Sequence, residues 1–158
     1  MPRGRKPKST EEASKVEEKP FRKIGVIGSD KWTNLSQILT KINETIGELN
    51  NCELVLLTCG SFDIWVIEEA INRRIPYSIY TSKYRNIAQF KNFLKRAKQV
   101  RIAQDETKDK ATRVQIKWFI DDCDEFIIMW NGDTSDNIVY SSRQQIRKSG
   151  KEIIDLIS

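Results

Sequence analysis

The chain has 158 residues, a formal charge of +5, 39% hydrophobic and 31% charged residues, a balance that suits one globular domain with a sizeable core. It contains no histidine, which excludes a Ser-His-Asp triad, a Cys-His pair and any His-containing metal site. The scattered Cys52, Cys59 and Cys123 read as reduced thiols, and with no apolar run of about 18 residues and no signal-peptide pattern the expected location is the cytoplasm, away from membranes.

Residues 1 to 21, "MPRGRKPKSTEEASKVEEKPF", are polar and nearly free of large apolar side chains. Such a segment cannot bury enough surface to offset its ordering entropy, so a disordered basic arm is expected there, followed by a folded domain over 22–158. No internal repeat occurs.

"KIGVIG" then reads as a strand. "NLSQILTKINETIGEL" places Leu35, Ile38, Leu39, Ile42, Ile46 and Leu49 at helical spacing. "ELVLLT" is a short continuous apolar run, as a buried parallel strand requires. "DIWVIEEAINRR" is helical and "PYSIYT" is a strand. "IAQFKNFLKRAK" reads as one helix, with Phe90, Phe93, Leu94 and Ala97 inward. "QVRIA" is a short strand, "KATRVQIKWFIDDC" a helix, "EFIIMW" a strand, "NIVYSSRQQIRKSG" a helix and "KEIIDLI" a last strand. This alternation predicts an α/β fold: a Rossmann-like open parallel sheet with helices on both faces. Ligands of such sheets sit beyond the carboxyl ends of the strands. That rule selects four loops, over 28–32, 58–65, 80–84 and 130–137.

In the first loop, Gly28 and Ser29 precede a helix whose free amides and dipole attract anions; a plain turn glycine is the alternative. In the second, Thr58, Cys59, Gly60 and Ser61 leave room for a phosphate or ribose, and Phe62 and Trp65 are placed to stack on a base. The competing reading makes Ser61 or Asp63 a helix cap and both aromatics core residues. Cys59 lies near a helix start, which lowers a thiol pKa, but no base is near it in sequence, and a packing role is favoured. In the fourth loop, "WNGDTSDN", Gly132, Asp133, Thr134, Ser135, Asp136 and Asn137 suit ribose, phosphate or hydrated Mg²⁺, or else an N-cap cluster. Arg113 could meet an anionic ligand or make a surface salt bridge. "DDCDE" at 121–125 falls at the amino end of the sheet and reads as a solvated acidic turn.

The ordered set "GVIGSDKWT", "LLTCGSFDIWVIEEA", "RRIPYSIY", "TRVQIKWFIDDCDEFIIMWNGDTSDN" and "KSGKEIIDLI" resembles the SLOG superfamily. This Rossmann-like group includes the phosphoribohydrolases of the lysine-decarboxylase-like or LOG type, the DNA-processing protein A fold and the small YspA/YpsA-related proteins. Gly28, Ser29 and Trp32 match the first motif, with Asp30 where Arg is usual. Gly60 fits the second, while Cys59, Ser61, Phe62 and Asp63 replace its small residues. Ile75 and Pro76 match; Arg113 matches an Arg, with Val114 in place of Asn. Asn131, Gly132 and Thr134 approximate the last motif, with Asp136 and Asn137 in place of Gly-Thr. The resemblance implies a divergent domain that binds a nucleotide or nucleotide-derived ligand, with no required cofactor beyond Mg²⁺ accompanying the ligand. Its ligand residues would be Gly28, Ser29, Thr58, Cys59, Gly60, Ser61, Arg113, Gly132, Asp133, Thr134 and Asn137. The glutamate that assists glycosidic cleavage in LOG enzymes corresponds to Tyr140, which argues against that hydrolysis.

Two further readings stay open. An N-glycosidase or nucleoside-phosphate hydrolase would need a carboxylate from Asp30, Asp63, Asp133 or Asp136. A DNA-associated protein would use the basic Lys83–Lys117 stretch and the arm, whose "PRGRKPK" resembles an AT-hook and supplies Arg3, Arg5, Lys6 and Lys8. A basic tail on a small domain would suit a phage or mobile-element accessory protein, and a homodimer formed through helices fits the group.

Overall fold

The computed structural model describes residues 21–29, 36, 40, 43–44, 51–58, 60–130 and 137–157. Its strands are β1 (Arg22–Gly28), β2 (Cys52–Leu56), β3 (Tyr77–Ser82), β4 (Gln99–Ala103), β5 (Glu125–Trp130) and β6 (Glu152–Ile157). The helices among the described residues are α1 (Ser61–Arg73), α2 (Lys91–Leu94), α3 (Lys108–Asp122) and α4 (Asn137–Ser149), with a 3₁₀ turn at Ala88–Phe90 before α2. Ser36, Thr40, Asn43 and Glu44 are helical as well.

All neighbouring strands pair in parallel, in the order β4-β3-β2-β1-β5-β6. The chain winds outward from β1 to one edge, then returns to β5 beside β1 and winds to the other. This reversal places the topological switch between β1 and β5. It is the open α/β sheet expected from the alternation.

Side chains alternate across each strand, and two apolar cores result. On one face, Ile24, Val26, Leu54 and Leu56 meet Phe62, Val66, Ile67 and Ala70 of α1, with Phe90 of the 3₁₀ turn. On the other, Ile27, Val55, Leu57 and Phe126 meet Ile116 and Phe119 of α3 and Val139 and Ile146 of α4. Gly25 faces this second core, where an added Cβ would come within 2.6 Å of Phe119.

The single helix expected over 87–98 is instead a 3₁₀ turn followed by one α-helical turn. Ile87, Phe90 and Phe93 all pack toward the first core, and three-residue spacing suits the 3₁₀ geometry. The Asn86 side chain accepts from the Ala88 amide at 3.2 Å and holds the turn's entry.

α1 stops at Arg74, which adopts the left-handed conformation (φ 60°). The Ile75 amide donates back to Ala70 at 2.8 Å and the Arg74 amide to Ile71 at 3.1 Å, which satisfies the last carbonyls, and Pro76 prevents continuation. α3 starts at Thr107, whose hydroxyl accepts from the Lys110 amide at 3.2 Å.

Candidate functional site

The carboxyl ends of β1, β2, β3 and β5 lie side by side along one edge, so the expected loops do leave the sheet on the same side. Gly28 ends β1 with its missing side chain facing α1. A Cβ there would lie 2.6 Å from the ring of Phe62, which is wholly buried. The glycine therefore serves close packing between helix and strand. The Ser29 amide donates to the Met129 carbonyl at 3.0 Å, so the chain stays zipped to β5 one residue beyond β1. Phe62 belongs to the first core, and Trp65 packs partly buried against it.

At the end of β2, Gly60 precedes α1 with φ 156° and ψ −148°. Its amide donates to the Asp63 carboxylate at 3.2 Å, and its carbonyl accepts from the Asp63 amide at 3.1 Å. The carboxylate of a fully buried residue thus stands in the first turn of α1. The chain's own anion uses part of the positive helix end that a phosphate would seek.

Thr58 has φ 51°, a left-handed conformation that a β-branched residue adopts only under strain. It is buried, and its hydroxyl shares a hydrogen bond of 2.8 Å with that of Thr81 on β3. Gln115 reaches the same strand ends from α3. Its Nε2 donates to the carbonyls of Leu57 at 3.0 Å and Tyr80 at 2.8 Å. Its Oε1 is buried and accepts nothing, an uncommon state for a polar atom with no exposure. Beyond β3, the Arg85 amide donates to Ser82 at 3.0 Å, and the buried Nε of its guanidinium is likewise without a hydrogen bond.

Arg113 is exposed on α3, whereas Ala111, Gln115 and Ile116 form its buried side. The helix residue that meets the strand ends is therefore Gln115, two positions on. Its signal was a polar residue on an apolar stripe; Thr81 and Arg85 carried no comparable sequence mark. Ser61 is the first residue of α1 and Asn137 the first of α4. Cys59, Gly132, Asp133 and Thr134, and the arm residues Arg3, Arg5, Lys6 and Lys8, lie outside the described residues. Tyr140 packs on Trp130, with ring centres 5.9 Å apart.

The acidic turn at the opposite edge is partnered by groups from other elements. Asp122 accepts from the Tyr80 hydroxyl at 2.6 Å and from Arg101 at 3.0 Å. Asp124 accepts from the Lys23 amide, and Glu125 pairs with Arg22. The Lys151 ammonium donates to the carbonyls of Ile120, Asp121 and Cys123. Burial raises the pKa of the Cys52 and Cys123 thiols, the direction that disfavours a reactive thiolate. Among the described residues no three metal-ligating side chains gather. No helix among them is long and apolar enough to cross a membrane.

No protein-family model and no curated protein matches the chain. Its fold is similar to the X-ray structure of DNA processing protein A from Streptococcus pneumoniae, with a TM-score of 0.51 and 9% identity. The similarity covers 86% of this chain and 59% of that one, so this chain spans less than two thirds of that protein's length.

Proposed function

We propose that the carboxyl edge holds a phosphorylated, nucleotide-type ligand and that the chain is a binding module. The observation that carries this reading is the strained Thr58 beside the Gln115 clamp. A left-handed β-branched residue costs about 1–2 kcal/mol, and such outliers gather at ligand-binding sites. With the Ser29 amide bonded to Met129 and the Gly60 amide to Asp63, the anion's partners would come from Arg85 and from Gly132, Asp133, Thr134 and Asn137. Thr58, Cys59 and Ser61 would border it, Gly28 would act through packing, and Arg113 would contribute at longer range. Asp63 is engaged by the Gly60 amide, and any Mg²⁺ would arrive with the ligand.

Isothermal titration against mono-, di- and cyclic nucleotides and ADP-ribose tests the reading. Saturable binding to at least one, weakened by Arg85→Ala, is expected; no heat from any of them defeats it. Chromatography of the same mixtures detects free base, and turnover would replace the binding module with an N-glycosidase.

A second reading, association with DNA, is favoured by the likeness to the fold of DNA processing protein A and by the chain's positive charge. It also accommodates the expected role of an accessory protein of a phage or mobile element. Gel shift with duplex and single-stranded oligonucleotides tests it, and absence of any shift at low salt removes it.

A further inference from the structure

The loop after β3 gives the ligand reading only Arg85, yet it also presents Tyr84, which is 38% exposed. Of the other exposed large hydrophobic residues among those described, Phe21 precedes β1 at the amino edge and Ile102 lies within β4. Tyr84 is thus the exposed ring that follows a strand at the carboxyl edge. The rings expected from the sequence to stack on a base are not available there: Phe62 belongs to the first core and Trp65 packs against it. An aromatic base held at this edge therefore meets Tyr84.

The ring is exposed but tethered. Its hydroxyl lies 3.0 Å from the Asp105 carbonyl and 2.5 Å from that of Glu106, in the turn after β4, and its single proton serves one or the other. The Tyr84 amide donates to the Ser82 hydroxyl at 3.3 Å. The flanking Lys83 and Arg85 amides donate to the carbonyls of Ala103 and Ser82, each at 3.0 Å. A ring already held in place loses little freedom when a ligand stacks on it. The Lys83 ammonium lies 5.3 Å from the ring centre, over one face, so a base takes the opposite face. Lys83 and Arg85 flank Tyr84 in the chain, while Asp105 and Glu106 stand at its hydroxyl end, with Lys108 opening α3 beyond them. The two carboxylates disfavour a phosphate there and leave that end to an uncharged base. From the end of β2, which carries Thr58, to the turn after β4 is two strand spacings, about 10 Å, a span that one nucleotide bridges. We infer that Tyr84 is the base-stacking platform of the carboxyl-edge site. A larger base covers more of the ring, so the platform favours purine over pyrimidine nucleotides. The inference rests on the ligand reading above.

Isothermal titration of the full chain tests it, with adenosine and uridine mono-, di- and cyclic phosphates, ADP-ribose and base-free ribose phosphate as probes. The wild-type chain should bind an adenosine compound more tightly than its uridine counterpart. Tyr84→Leu should weaken the adenosine compound about tenfold, within the range for one base–aromatic stack. It should also erase the purine preference and leave ribose phosphate untouched. Tyr84→Phe keeps the ring and should recover most of the lost affinity, and melting curves verify that both variants fold. If the wild-type chain binds no member of the panel, the ligand reading itself fails. If it binds and Tyr84→Leu leaves purine affinity unchanged, or weakens ribose phosphate to the same degree, the platform is overturned. Equal losses from Tyr84→Phe and Tyr84→Leu would assign the effect to the hydroxyl tether and overturn it as well.

Discussion

The ring of Phe62 fills the space that a side chain on Gly28 would need, with an added Cβ 2.6 Å from the ring. The Phe62 side chain of α1 is fully buried in the first core, so relieving the clash requires its core neighbours to shift. Gly28→Ala should destabilise the fold by about 1–3 kcal/mol, the usual cost of overpacking. Phe62→Leu should cost less when Gly28→Ala is already present, because the smaller side chain relieves the clash. Urea unfolding of the two single variants and the double variant measures this coupling; strict additivity would contradict the contact.

Thr58 separates strain from function. Thr58→Gly removes the left-handed penalty of about 1–2 kcal/mol but loses the Thr81 hydrogen bond and adds chain entropy to the unfolded state, each worth about 1 kcal/mol. Stability should stay within about 1 kcal/mol of wild type. Nucleotide affinity should fall about tenfold, the equivalent of one hydrogen bond. Calorimetry on the variant reads both quantities, and unchanged affinity would detach the strain from the site.

Two neighbours on α3 should behave in opposite ways. Gln115 donates to two buried strand-end carbonyls. Gln115→Leu removes both donations and should cost about 1–3 kcal/mol. Arg113 is exposed, and Arg113→Ala should change stability by less than about 0.5 kcal/mol. Chemical denaturation of each variant checks the contrast.

Alkaline pH should unfold the protein through groups that the fold keeps neutral. Burial, then the hydrogen bond to and the charge of Asp122, raise the pKa of the Tyr80 phenol, with Arg101 opposing. Burial does the same to the Cys123 thiol. In the unfolded chain these groups ionise near about 10 and 8.5. Above those values the unfolded chain has released protons that the folded chain retains, so stability falls as pH rises. At neutral pH both groups are protonated in both states and their contribution is fully present. Urea midpoints should therefore decline from about pH 8.5 and more steeply past about 10. Tyr80→Phe should flatten the later part; an unchanged slope would exclude Tyr80 as its source.

The alternation of apolar runs and amphipathic stretches was sufficient to specify the parallel sheet, because burial on both faces requires continuous apolar strands and right-handed crossovers. Ile24, Val26 and Leu54 announce their positions by period and composition alone. Period did not separate an α-helix from a 3₁₀ turn over 87–98, since Ile87, Phe90 and Phe93 fit both within so short a span. The edge that carries the candidate site was also legible, as strand polarity dictates where loops emerge. What each loop residue does was decided only in three dimensions. Gly28 has the look of a phosphate glycine until Phe62, 34 positions later, occupies its space; Arg113 looks apt until helical phase turns Gln115 inward instead. Local sequence encodes periodicity and backbone preference, whereas the partner of a buried atom comes from a distant segment and exists only once the chain has packed.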